Sequence, residues 1–211
     1  MQKPADTQYA IHDLLKNRWS PRAYSNRPIE TEKLLSLFEA ARWSASGGNS
    51  QPWNFVIVTH NDQPMFQEVI GTAAGRNALW AKEAPVLVMA IAKLNPEKPE
   101  RDSGAYYDLG QAVAHLSIQA SAVGLYVHQM GGFDRAKLSQ IAQIPDGYQL
   151  MTLIAVGYFG KVDDLADDSL RINEMAPRTR KPINEFVFSE HWNQPLSIPA
   201  NETALAAVSG D

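Results

Sequence analysis

Two arginines flank a serine in Arg18-Trp19-Ser20-Pro21-Arg22, and a second cationic run, Arg178-Thr179-Arg180-Lys181, stands between prolines far along the chain. A guanidinium group presents a fixed fork of N–H donors that suits phosphate oxygens, and a hydroxyl between two of them adds another donor. Between the two runs lie two glycine-opened polar segments, Ala45-Ser46-Gly47-Gly48-Asn49-Ser50-Gln51-Pro52-Trp53 and Met130-Gly131-Gly132-Phe133-Asp134. Adjacent glycines let backbone N–H groups come close to a ligand, because no Cβ stands in the way. Ser46, Asn49, Ser50 and Gln51 add side-chain donors and acceptors, and Pro52 fixes where the next strand begins. Taken singly, each piece also has a plainer reading: a helix-to-strand turn, or arginines solvated at the surface. Together they suit an organic cofactor with an anionic tail and a polar, hydrogen-bonding head.

Other chemistries are poorly served. The chain has no cysteine, so disulfides, thiolate metal sites and thiol nucleophiles are excluded. His12, His60, His115, His128 and His191 do not pair at metal-ligand spacing, and Asp163, Asp164, Asp167 and Asp168 lack the alternation of a calcium loop. There is no nucleophile elbow, no Walker loop, and no Gly-x-Gly-x-x-Gly after a strand. When side chains cannot do the hard chemistry, a cofactor commonly does it and the protein positions it.

The elements that must hold these residues read as follows. With 211 residues, 45% hydrophobic and 20% charged, the chain has the composition of an ordinary globular protein. A formal charge of -4 argues against a nucleic-acid surface. No signal peptide and no membrane-spanning run is evident, so a cytoplasmic protein is expected. Helices are expected from about Tyr9 to Asn17 with Asp6 or Thr7 as cap, from Thr31 to Arg42, from Asp62 to Ala73, from Asn77 to Glu83, and from Arg135 to Ile141 with Asp134 as cap. Tyr106 to Val123 is the longest helical pattern and is nearly uncharged after Asp108, which predicts packing on a sheet and against a second subunit. His115 on it reads as a core or interface residue. Asn54–Thr59, Pro85–Ala92 and Gln149–Val156 are expected as buried strands, Asn54–Thr59 as a central one, and Leu125–Gln129 as a short strand. The acidic patch reads as a solvated loop, and Ile183–Phe188 as a strand or a turn of helix. The sum is an α+β fold in one domain, 1–211, with about 189–211 as an extended arm.

The ordered set Arg18-Trp19-Ser20-Pro21-Arg22, Ala45 to Trp53, Gly131-Gly132-Phe133-Asp134 and Arg178-Thr179-Arg180 resembles the nitroreductase family of FMN-dependent enzymes, over about residues 8–188. The resemblance implies a central mixed, mainly antiparallel sheet flanked by helices, in an intertwined homodimer with FMN at the interface. It places Arg18, Ser20 and Arg22, with Trp19 between them, and Arg178 and Arg180 at the phosphate and ribityl chain. Ser46, Gly47 and Asn49, with Gln51 as an added contact, approach from the opposite subunit, and the backbone of Gly131 and Gly132 lies near the flavin nitrogen that carries hydride. No side chain is expected to act as the catalytic group. The implied activity is NAD(P)H-driven reduction of a small acceptor, a nitroaromatic, quinone or activated alkene, in alternating half-reactions. A dehalogenating or flavin-fragmenting relative, or a non-enzymatic flavin-binding protein, stands as the alternative. Ala45 where the family loop has proline, and Gly131 where some members have glutamate, depart from its pattern. The contacts to the pyrimidine edge are not assigned, Arg76 and Asn77 being candidates.

Overall fold

The structure is a computed structural model that describes residues 1–196. Its centre is a four-stranded sheet of β1 (Trp53–Thr59), β2 (Val86–Lys93), β3 (Tyr126–Met130) and β4 (Tyr148–Gly157) in the order β1-β2-β4-β3. Every neighbouring pair is antiparallel, so the mixed sheet expected from the resemblance has no parallel pair among the described residues.

Both faces of the sheet are covered, and the two-residue period of the strands sorts the side chains between them. Along β2, Leu87, Met89 and Ile91 enter one core, with Phe66, Val69 and Ile70 of α3 (Met65–Ile70), Trp80 of α4 (Asn77–Ala81) and Leu138 of α6 (Arg135–Ile141). Val86, Val88, Ala90 and Ala92 enter the other, with Leu37 and Ala41 of α2 (Thr31–Arg42) and Leu109, Ala112, Val113 and Leu116 of α5 (Asp102–Ala122). A strand that is apolar on both faces is what such a position requires, and β2 is buried along all but its last residue. β1 is different. It lies at an edge and is only half buried, because the apolar residues that predict burial on two faces do not reveal how many strands lie beside it.

Local signals fix most of the helices. Asp134 caps α6 by accepting from the Lys137 N–H, and Gly124 takes φ 76° just after α5, a conformation that favours glycine. The first helix, α1, covers only Asp13–Asn17, with His12 and not Asp6 or Thr7 at its cap; Tyr9 and Ile11 stay exposed ahead of it. α5 buries one side only. Its other side carries Gly110, Ala114, Ala122 and a Tyr107 that is 70% exposed. Part of the acidic patch read as loop is the start of another helix, α7 (Asp168–Met175), which Asp167 caps by accepting from the Leu170 N–H.

Met1–Pro177 forms one compact unit and contains every element named so far, while Arg178–Asp211 forms another. In the second unit, Ile183–Glu185 makes a single 3-10 turn and the Phe188 and Trp192 rings lie 5.1 Å apart. Residues 197–211 of the expected arm lie outside the described residues. Among the described residues no helix is long and apolar enough to cross a membrane.

Candidate functional site

The residues directly after Arg18–Arg22 pair main chain to main chain with those just past β4. Ser25 N–H donates to the Tyr158 carbonyl at 2.9 Å and Gly160 N–H to the Ala23 carbonyl at 2.8 Å. The approach is close enough to demand glycine: a Cβ on Gly160 would stand 2.5 Å from the Tyr24 carbonyl oxygen. Trp19 is buried, with its ring 6.0 Å from Tyr126 and 5.5 Å from Phe159, so it anchors the segment to the core. Ser20 Oγ accepts from the Arg18 guanidinium at 3.3 Å. Arg22 keeps its side chain one-third exposed. Its backbone is fixed from α7, where Glu174 Oε1 accepts from the Arg22 and Ala23 N–H groups at 2.8 and 3.0 Å.

The same segment is tied to β3. His128 lies between the Trp80 ring, 4.4 Å away, and the Pro21 carbonyl, 2.9 Å from Nδ1. A carbonyl oxygen can only accept, so Nδ1 carries the proton. Burial pushes the imidazole down to about 4, and the nearby Arg22 charge adds to that, against the hydrogen bonds to Pro21 and Ser20. Three residues on, the chain leaves β3 into Gly131 and Gly132, both exposed, and a Cβ on Gly131 would meet nothing within 4 Å. The far side of the pair is tethered: the Gly132 carbonyl accepts from Ala74 N–H at 2.9 Å and from Asn77 Nδ2 at 3.1 Å. Asn77 thus lies beside the glycine pair, whereas Arg76 is ion-paired with Asp167.

Ser46 to Gln51 form an exposed loop between α2 and β1 with Gly48, Asn49 and Gln51 at φ 58°, 55° and 48°. Left-handed backbone at two non-glycine residues is strained, and such strain clusters at functional positions. Ser46 Oγ accepts from Gln51 N–H at 3.1 Å, and Gln51 Nε2 donates to Asn49 Oδ1 at 3.1 Å. The acceptor end of the Asn49 amide is thereby engaged, so what Asn49 offers a ligand is its NH2. On α5, Asp108 Oδ2 accepts from Gly47 N–H at 3.0 Å, and His115 Nδ1 is 2.7 Å from Ser44 Oγ.

The expected residues therefore fall into separate groups. Arg18, Ser20 and Arg22 belong to the segment tied to the β3 edge through Trp19 and Pro21, and Gly131 and Gly132 follow directly on β3. Ser46, Gly47, Asn49 and Gln51 precede β1, the opposite edge. Three inter-strand spacings, roughly 14 Å, separate those edges. Arg178 and Arg180 belong to the second unit, where the Arg180 guanidinium donates to the Thr179 carbonyl at 2.7 Å. Glu174, His128 and Asp108 were not anticipated, since their contacts span 107 and more residues for the first two and 61 for the third. Among the described residues no group of three or more His, Asp or Glu side chains is placed to hold a metal ion.

Comparison with known proteins identifies the family. The model of the nitroreductase family matches residues 15–158, more than half of the chain. A solved structure described as an oxidoreductase containing FMN superposes with a TM-score of 0.80 at 29% identity, covering 90% of this chain and 96% of its own. A nitroreductase family protein from Streptococcus pneumoniae shares the fold, with a TM-score of 0.67 at 20% identity over 82% of this chain and 96% of its own. The major NAD(P)H-flavin oxidoreductase of Aliivibrio fischeri is 24% identical over 229 aligned positions, 86% of this chain and 98% of the relative. The chain belongs to the nitroreductase family, and its α+β architecture is the nitroreductase fold.

Proposed function

We propose that the protein is an FMN-dependent oxidoreductase that uses NADH or NADPH to reduce small organic acceptors such as nitroaromatics or quinones, working as a homodimer. The observation that carries the reading is the joining of the Arg18–Arg22 donors to the open Gly131–Gly132 backbone at one sheet edge, through His128 and Trp19. These residues fit FMN: cations and a hydroxyl for a phosphorylated tail, and bare main chain where a Cβ would otherwise limit the approach of a flat ring. Relatives described as an FMN-containing oxidoreductase and an NAD(P)H-flavin oxidoreductase support the same assignment.

FMN, when bound, supplies the hydride-transfer chemistry. The chain's own residues bind and orient it. Arg18, Ser20 and Arg22 hold the phosphate end, and Gly131 and Gly132 offer backbone N–H groups to the ring. Ser46, Gly47, Asn49 and Gln51 serve the cofactor of the other subunit, a division favoured by their position at the opposite sheet edge. The exposed small-residue side of α5, with Gly110, Ala114 and Ala122, is a surface on which two copies can approach closely. No acidic or basic side chain is required, since solvent supplies the protons.

The test is anaerobic mixing of FMN-loaded protein with NADH or NADPH in a stopped-flow spectrometer. Rapid loss of the oxidised-flavin band with at least one of them, and its return on adding a quinone, is expected. A band that both nicotinamides leave unchanged would make the protein a flavin binder without this activity.

A further inference from the structure

We infer that Asp108 is a positioning residue, whose carboxylate holds the Ser46–Gln51 loop in the conformation that presents its donors to a cofactor. This role rests on the FMN reading above. Asp108 is only 6% exposed and lies on the buried side of α5 among Leu109, Ala112 and Val113. A carboxylate taken out of water is costly unless it is hydrogen-bonded, and an apolar residue would pack there at no such cost. Its Oδ2 accepts from Gly47 N–H, 61 residues earlier in the chain.

The loop needs such an anchor. Gly47 to Gln51 are exposed, and a Cβ on Gly48 would meet nothing within 4 Å, so packing does not impose the left-handed backbone at Gly48, Asn49 and Gln51. The other hydrogen bonds of residues 46–51 stay inside the loop: Asn49 N–H to the Ser46 carbonyl, Ser50 N–H to the Gly47 carbonyl, and the Gln51 bonds to Ser46 and Asn49. Among the described residues, Asp108 provides their one hydrogen-bond tether to the body of the protein. His115, seven residues further along α5 and so on nearly the same face, holds Ser44 just before the loop. The helix that carries the exposed small-residue side therefore also sets the loop. Gly47 and Asp108 both line a cavity of about 940 Å³, so shortening residue 108 enlarges existing space and does not break a packed core.

The test compares wild type with Asp108→Ala and Asp108→Asn, reading FMN dissociation constants and amide hydrogen exchange over residues 46–51 in the FMN-free protein. Loss of one charge-assisted hydrogen bond predicts an Asp108→Ala dissociation constant raised about tenfold, with faster loop exchange. Asp108→Asn keeps a carbonyl oxygen to accept the same N–H and should stay within about threefold of wild type. Should Asp108→Ala fail to fold, Asp108→Leu, close to aspartate in shape, removes the acceptor while filling its space and is expected to weaken FMN binding alike. An alanine variant that binds FMN as wild type does, or whose loop exchanges no faster, overturns the role of Asp108, as does an Asp108→Asn variant as weak as alanine. A wild-type protein that takes up no FMN overturns the functional reading itself, and this role with it.

Discussion

Replacing Glu174 by alanine withdraws the acceptor from two backbone N–H groups, Arg22 and Ala23, at the end of the Arg18–Arg22 segment. Oε1 accepts from Ala23, which is buried, and from Arg22, which is partly so, at 3.0 and 2.8 Å. The side chain itself is wholly buried, and its other oxygen lies 3.9 Å from the Arg22 guanidinium with no hydrogen-bond partner. A buried N–H left without a partner costs about 1–3 kcal/mol, so about 2 for Ala23 and about 1 for the partly solvated Arg22 are reasonable. Losing one packed methylene adds about 1 kcal/mol, and relieving the unpartnered oxygen returns about as much. The net expectation is a loss of about 3 kcal/mol. Glu174→Gln keeps an accepting oxygen for both N–H groups and loses only the charge opposite Arg22, so about 1 kcal/mol is expected. Urea unfolding of the FMN-free protein, followed by circular dichroism with slopes compared across variants, measures both. An alanine variant within 1 kcal/mol of wild type would refute the reasoning, and a glutamine variant as unstable as alanine would show that charge, not the acceptor, holds the segment.

Two further expectations concern the same edge of the sheet. His128 has its pKa pushed from 6.5 to about 4 by burial, so between those values the unfolded chain binds more protons than the folded one, and stability falls as pH drops from 6.5 toward 4. The part due to His128 is about 3 kcal/mol at the acid end, and it is separated from the titration of the carboxylates by His128→Gln, whose unfolding free energy should fall less between pH 7 and pH 4.5; equal falls in variant and wild type would contradict this. Gly160→Ala forces a methyl group against the Tyr24 carbonyl, so a loss of about 1–3 kcal/mol in thermal or urea unfolding is expected, and an unchanged midpoint would show that the Tyr24–Phe159 bridge is not as tight as described.

How far the chain can be read ahead of its structure depends on the range of the forces involved. Asp134 at its cap acts within a few residues, and it was legible. The same logic applied to Asp167 would have shown α7, because a capping aspartate ahead of Leu170 is a local signal; the density of acidic residues around it favoured a loop reading. β1 was legible as a strand but not as an edge, since pairing partners are set by distant chain. Tyr9 and Ile11 follow helical spacing, yet a helix that short needs a packed face, and Tyr9 is 70% exposed. Of the site, the donors were legible from residue type and order. The groups that hold them were not, because Glu174 reaches Arg22 across 152 residues and His128 reaches Pro21 across 107. Asp108 did leave a trace: it is the last acidic residue before a long uncharged run of helix, and a charge retained at the margin of such a run invites the question of what it holds.

The central claim is that donors on this chain bind FMN and pass its reducing equivalents from a nicotinamide to a small acceptor. Its most direct measurement is the visible spectrum of the protein purified with added FMN, freed of excess ligand, and then mixed anaerobically with NADH or NADPH. A retained flavin spectrum at about one FMN per chain that bleaches on mixing is predicted. A colourless protein after removal of free ligand would contradict the account.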